Sequence, residues 1–330
     1  MWRNRAQTPI SEMMPEFENI TANEEQEPLH PIAIEEMRKH EFKSSPIVIE
    51  ETLADGSNYK RYIASYTSDG LKIYGLFTVP ISDPPQGGFP AIVFLHGYLN
   101  PPTYKTLERY VAYQDGFARA GYATFKPDLR GHGQSKGESV QSNFSPDYIY
   151  DALNLVAVLQ ADTRINRNKI GMWGHSMGGG ITLRSMVVSK QIKAGVIWAG
   201  VVGDWEDLLE RYRRRTPWVS TAASSSTRSS IVEFTDKYAS PSANPRFWNT
   251  IDAYTYLGDM SGPVQLHHGT ADDSVPVEFS QHLRSALIVA GKTVEYFEYP
   301  GGDHNLGGKD FGLAMKRSGE FFDKYIKNSP

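Results

Sequence analysis

Five residues, Gly174-His175-Ser176-Met177-Gly178, carry the sharpest chemical signal in the chain, and Gly179 and Gly180 extend it. An apolar run over 169–173 precedes them and a helical pattern over 178–189 follows. Between a strand and a helix, G-x-S-x-G is a sharp turn that pushes the serine hydroxyl out above a sheet. The turn is so tight that its flanking positions must be small. The helix N-terminus that follows favours developing negative charge. Ser176 is therefore the expected nucleophile of an acyl transfer.

A serine hydroxyl is a poor nucleophile until a base takes its proton. In this arrangement the acid and then the histidine follow the serine in chain order. His267-His268-Gly269-Thr270-Ala271-Asp272-Asp273-Ser274-Val275-Pro276 comes after one apolar strand, and Gly301-Gly302-Asp303-His304-Asn305 after the next. Groups at the C-terminal ends of parallel strands gather at one edge of the sheet. His304 is the expected general base, with Asp272 or Asp273 to orient it and stabilise the imidazolium. The oxyanion needs donors. One is expected where Phe94-Leu95-His96-Gly97-Tyr98 ends the first buried strand, the other at the Met177 backbone N–H. Tyr98 can act through its own N–H, its phenol, or both.

The remaining histidines have blander roles. His267 and His268 are adjacent, point in different directions and make no metal pair. Asp303 beside His304 has no third and fourth ligand at suitable spacing. His132, in Arg130-Gly131-His132-Gly133, precedes the serine and is given a structural turn role. No metal or organic cofactor is expected.

These residues need a scaffold that brings distant segments together. Strands are expected at 47–53, 60–66 and 71–79, with Asp55-Gly56 and Asp69-Gly70 as turns, forming antiparallel hairpins on one edge. From residue 91 the rhythm becomes strand and helix in alternation. Strands are expected at 91–95, 122–126, 169–173, 194–199, 263–267 and 294–299. Helices are expected at 104–120, 147–160, 178–189, 277–290 and 311–326. That alternation predicts an α/β fold: a mostly parallel central sheet with helices on both faces.

Residues 201–262 break the rhythm and are far longer than an ordinary connection. A helix is expected at 204–215, acidic at its start and basic at its end, as the helix dipole favours. A Ser/Thr/Ala-rich stretch, 220–230, is expected to be mobile. Phe234, Tyr238, Phe247, Trp248, Tyr254 and Tyr256 follow. The segment is read as a lid or cap insert, leaving 46–200 and 263–330 as the core. Residues 1–45 hold nine glutamates against five lysines and arginines, the whole formal deficit of −4. They are read as an acidic arm with a short helix near 32–40, otherwise a solvated tail.

At 330 residues the chain exceeds the ~250–300 at which one core stops growing, so additions to a single large domain are expected. A pI near 6.2 excludes the basic footprint of a nucleic-acid binder. The chain has no cysteine, which excludes disulfide scaffolds, thiolate nucleophiles and Cys-ligated metals. The longest apolar stretches, such as 194–203, reach half of the ~18–20 residues that a membrane span needs. No apolar leader follows Arg3 and Arg5. The chain is read as soluble, in the cytoplasm or secreted after loss of a leader.

Residues 90–326 resemble an α/β-hydrolase. They are most similar to the catalytic domain of the prolyl oligopeptidase family and its stand-alone esterase relatives. The segments Leu95-His96-Gly97-Tyr98, Asp128-Leu129-Arg130-Gly131-His132-Gly133, the turn at Ser176, and His268 to Pro276 carry the resemblance. In that family two residues separate the His-Gly stretch from the catalytic aspartate, which implies Asp272 rather than Asp273. A family tyrosine matching Tyr98 offers its hydroxyl to the oxyanion. The resemblance leaves out residues 1–45 and is weak across the insert. The family's peptidases place a β-propeller before the catalytic domain. Four blades of ~40–50 residues do not fit the roughly 90 residues before the first buried strand, so the resemblance implies an esterase. The expectation is a serine carboxylic-ester hydrolase acting on a small-molecule ester, with aromatic or feruloyl-type esters suggested by the insert's rings. The alternatives are a small aminopeptidase or amidase, or a catalytically silent binding module. The presence of every required residue type argues against the silent module.

Overall fold

The structure, a computed structural model, describes residues 28–140, 142–212 and 225–329. Nine strands form one sheet: β1 (Val48–Thr52), β2 (Tyr59–Ser68), β3 (Leu71–Pro80), β4 (Phe89–Leu95), β5 (Ala123–Pro127), β6 (Ile165–His175), β7 (Gly195–Trp198), β8 (Val264–Gly269) and β9 (Val294–Tyr299). Their order across the sheet is β1-β2-β3-β5-β4-β6-β7-β8-β9. β1, β2 and β3 form an antiparallel meander, and β3 runs antiparallel to β5. From β5 to β9 every pairing is parallel. The β2–β3 hairpin closes through Asp69 and Gly70, both at positive φ, which suits the right-handed twist of the strands.

Helices cover both faces: α1 (Ile34–Arg38), α2 (Val111–Arg119), α3 (Asp147–Ala161), α4 (Met177–Val188), α5 (Ser225–Tyr238), α6 (Pro245–Ile251), α7 (Val277–Val289) and α8 (Lys309–Phe322). β4 reads FPAIVFL and is buried throughout, as a strand covered on both faces must be. Its residues alternate between two cores. Ala91, Val93 and Leu95 join the core beneath α3, α4 and α7. Ile92 and Phe94 join Trp173, Trp198, Phe117 of α2 and Phe322 of α8. The register sets Leu95 opposite Gly174, His175 opposite Trp198, and Gly269 opposite Tyr299, so the C-terminal ends of β4, β6, β7, β8 and β9 share one edge. Among the described residues no helix is long and apolar enough to cross a membrane.

Three expectations differ from what is observed. The helix expected at 104–120 begins only at Val111. The buried Lys126 ammonium takes the carbonyls of Thr106 and Arg109 at 2.7 and 3.2 Å, which holds this stretch of chain open as a loop. The helix expected at 204–215 is a short turn that becomes π-helical over Asp207–Arg211, and its arginines 213–215 lie outside the described residues. The buried Asp207 carboxylate there meets both Arg211 and His282 of α7. Finally, the short helix expected near 32–40 is present as α1, but residues 32–38 are not a solvated tail. Ile32, Ala33, Ile34 and Met37 are buried, because they seal the outer face of α4. Arg38 donates to the Val187 carbonyl at 2.7 Å and pairs with Asp259 at 2.9 Å. Residues 1–27 and 220–224 lie outside the described residues.

The aromatics of residues 201–262 pack on one another and on the rest of the chain. Tyr238 stacks on Phe247 at 3.7 Å, Phe234 meets Phe144 at 4.8 Å, and the buried Trp248 meets Trp205 at 5.0 Å.

Candidate active site

β6 passes directly into α4, and Ser176 is the hinge between them, at φ 54° and ψ −118°. A side chain held there costs roughly 1–3 kcal/mol and persists only where surroundings over-determine it. The Ser176 N–H donates to the Trp198 carbonyl at 3.0 Å. Its carbonyl accepts from Gly179 at 2.9 Å and Val201 at 3.0 Å. A Cβ at Gly174 would run into the Gly178 carbonyl, and one at Gly178 into the Leu95 carbonyl. Only glycine fits these two positions, and the close approach at Gly178 is what seats the end of β4 against the turn.

His304 and Asp272 meet at that edge. The His304 Nδ1–H donates to Asp272 Oδ2 at 2.8 Å, which leaves Nε2 as the free lone pair of the neutral ring. The other Asp272 oxygen accepts the N–H groups of Ser274 and Val275, both at 2.8 Å. His268 Nε2 stands 3.1 Å from Asp272 Oδ2, oriented by Ser280 on its Nδ1 at 2.7 Å. Burial by itself raises the Asp272 carboxyl. The hydrogen bonds from His268, His304 and Val275 outweigh it and hold the group far below the usual carboxylate range. Asp273 is exposed and receives only the Ser274 hydroxyl, at 3.0 Å. The loops after β8 and β9 are tied together: Ala271 N–H donates to Gly302 O, and Gly301 N–H to Thr270 Oγ1, each at 2.9 Å.

The third segment, His96-Gly97-Tyr98, lies against Ser176. A Cβ on Gly97 would come within 3.2 Å of the Ser176 Cβ. Gly97 N–H donates to the Tyr110 hydroxyl at 2.9 Å, and that hydroxyl meets His175 Nδ1 at 2.7 Å. His175 Nε2 reaches the His304 carbonyl at 2.9 Å. The Tyr98 side chain is 71% exposed, at the rim. Met177 opens α4, next to Ser176.

The edge thus collects Ser176, Met177, Tyr98, His304 and Asp272, and leaves Asp273 in solvent. His132 binds the carbonyls of Leu129 and Leu99, holding two loops together. The fully buried His267 binds Tyr299 and Gln265. Asp303 accepts the N–H groups of Asn305 and Gly307 and shapes its own turn. Among the described residues no group of three His, Asp or Glu side chains could hold a metal ion. Sequence reasoning missed Tyr110, His175 and His268 as parts of the site. His175 stood in the variable position of G-x-S-x-G, and His268 beside the acid, so both had a positional signal. Tyr110 had none, since it lay inside the expected helix.

The sequence profile of the family described as serine aminopeptidase, S33, matches residues 89–308. The chain belongs to that family. A curated relative, the uncharacterized peptidase YuxL of Bacillus subtilis, is 23% identical over 82% of this chain, which spans 40% of YuxL. The Porphyromonas gingivalis dipeptidyl peptidase 4 aligns at a TM-score of 0.63 and 20% identity, over 82% of this chain and 36% of the peptidase. Acetyl xylan esterase 1 of Thermoanaerobacterium aligns at 0.61 and 19%, over 89% of this chain and 94% of the esterase. The architecture of the S33 chain is therefore that of an α/β-hydrolase, shared by esterases and peptidases alike.

Proposed function

We propose that this protein is a serine carboxylic-ester hydrolase working through an acyl-enzyme. Ser176 Oγ attacks the ester carbonyl while His304 Nε2 takes its proton. Asp272 holds the ring through Nδ1 and stabilises the imidazolium. The N–H groups of Met177 and Tyr98 receive the oxyanion, with the Tyr98 phenol beside them. The imidazolium then protonates the leaving oxygen and the alcohol departs. Water, deprotonated by His304, attacks the acyl-enzyme and releases the acid and Ser176. The observation that carries this reading is the Asp272–His304 hydrogen bond of 2.8 Å at the edge where the backbone strain of Ser176 is held. A catalytically silent fold has no use for that strain.

An ester is favoured over an amide by what the acids near the serine are doing. An aminopeptidase needs a free carboxylate for the substrate ammonium. The segment after β7 touches Ser176 through the Val201 N–H and then carries Asp204, Glu206 and Asp207. Asp204 accepts the Asp207 N–H, Glu206 pairs with Arg211, and Asp207 holds Arg211 and His282. Asp252 accepts the N–H groups of Trp205 and Tyr254. These acids are spent internally.

Residues 201–262 serve as a cap that walls the entrance, with 46–200 and 263–330 as the catalytic core. The bond from Val201 to Ser176 at the root of the insert supports this. An aromatic, feruloyl-type acyl group is the finer reading. It rests on the exposed Tyr98 ring, since the insert's own aromatics are engaged in packing. The test is kinetic. We expect kcat/KM for p-nitrophenyl butyrate at least ~10³-fold above any aminoacyl p-nitroanilide, about 4 kcal/mol in transition-state stabilisation. Comparable values for the two classes assign the protein to the amidases. A cinnamoyl ester in the same panel reads the aromatic preference.

A further inference from the structure

A chain of hydrogen bonds runs underneath the serine and fixes its own direction. Gly97 N–H can only donate, so the Tyr110 oxygen accepts, at 2.9 Å. At the other end the His304 carbonyl can only accept, so His175 carries its ring proton on Nε2 and donates it there, at 2.9 Å. Nδ1 of the neutral ring then accepts the Tyr110 phenol proton, at 2.7 Å. The chain starts on the segment that bears Tyr98 and ends on the loop that bears the base. Its middle member is the residue before Ser176.

The surroundings are built for this arrangement. His175 is buried, lies parallel to Trp173 at 17°, and its ring centre is 4.6 Å from that of His304. Burial, with the His304 ring adding to it, pushes His175 down to about 3, so the ring stays neutral where a second imidazolium would oppose the charge that His304 acquires. Tyr110 sits at φ 62°, a costly conformation for a bulky residue, and that backbone aims its ring inward. A Cβ at Gly97 would approach the Tyr110 oxygen to 2.6 Å, so the contact requires glycine there.

We propose that Tyr110 and His175 are positioning residues that hold the oxyanion segment and the His304 loop in register with Ser176. The inference rests on the esterase reading above. Neither residue touches the substrate. A donor–acceptor bridge of this kind keeps the oxyanion site and the base in register during one turnover, and a misplacement of about 1 Å can cost ~10²-fold in rate.

The test uses Tyr110→Phe, His175→Leu and His175→Gln, with kcat expressed per site titrated by a phosphonate. For p-nitrophenyl butyrate, Tyr110→Phe and His175→Leu are expected to lose about 10- to 100-fold in kcat with KM held within about twofold. Glutamine offers one acceptor and one donor, so His175→Gln is expected to recover most of the loss. A purely structural role would lower thermal stability while leaving kcat per titrated site unchanged, and that result in Tyr110→Phe overturns the proposal. A second readout needs no activity. Two-bond ¹H–¹⁵N spectra of the wild-type protein must show His175 neutral and protonated on Nε2 from pH 5 to 8. An imidazolium or the Nδ1–H tautomer also overturns it. If the wild type takes up no phosphonate, the esterase reading fails, and the tautomer measurement still judges the hydrogen-bond chain.

Discussion

Two imidazoles and two backbone N–H groups converge on the Asp272 carboxylate, while its neighbour Asp273 meets one hydroxyl. Replacing Asp272 by Asn mis-sets the His304 tautomer, and the expected loss in turnover is ~10⁴-fold. Asp273→Asn is expected to change turnover less than about threefold, because its side chain is exposed and meets only the Ser274 hydroxyl, which makes no contact with His304. Steady-state kinetics on one ester separates them, and the reverse ranking would move the acid by one residue. Sequence spacing alone left these two aspartates open, and only the family resemblance chose between them. The structure shows why spacing was silent: the two are distinguished by the turn that carries Asp272 inward onto the N–H groups of Ser274 and Val275. The role of His175 was hidden for a related reason. Its partners, Tyr110 and His304, lie 65 and 129 positions away along the chain, which no local pattern can show.

Helix and strand boundaries followed the hydrophobic pattern closely where burial is two-sided, as in β4 and α4, and failed where a buried charge reorganised the chain. Lys126 opened 104–110, and Asp207 drew the chain after β7 into a π-helical turn. α1 shows a third kind of failure. Its acidic neighbours suggested solvent, yet Ile34 is fully buried. Ile34→Ala is expected to cost about 2–5 kcal/mol in urea unfolding, the range for a cavity-forming core truncation. An unchanged midpoint would mean that α1 is detached from the core in solution. The segment around Asp252 carries a pH dependence. Burial first, with the nearby Asp204 adding to it, raises Asp252 to about 6 against the opposing backbone hydrogen bonds and Arg184. The folded state therefore favours the protonated acid, and ionisation costs stability as pH rises from ~4 through ~6. Asp252→Asn keeps an acceptor oxygen without the charge. Its stability relative to the wild type is expected to be about 1 kcal/mol higher at pH 8 than at pH 5. A difference that does not vary with pH contradicts this account of Asp252.

The sheet as a whole is what turns separated motifs into a site. Residues 96–98, 176, 272 and 304 come from four connections, and parallel pairing from β5 to β9 delivers all four to one edge. That much was legible, because alternating strands and helices have few ways to pack. The placing of Tyr110 and the sealing of α4 by α1 were not, because both depend on contacts between elements remote in sequence. The central claim is that Ser176 becomes covalently acylated. A fluorophosphonate probe followed by peptide mass mapping tests it most directly, because the probe reports an activated serine whatever the natural ester is. One adduct per chain on Ser176, absent in Ser176→Ala, is the predicted result. No adduct on the folded wild-type protein, or an adduct on another residue that persists in Ser176→Ala, would contradict it.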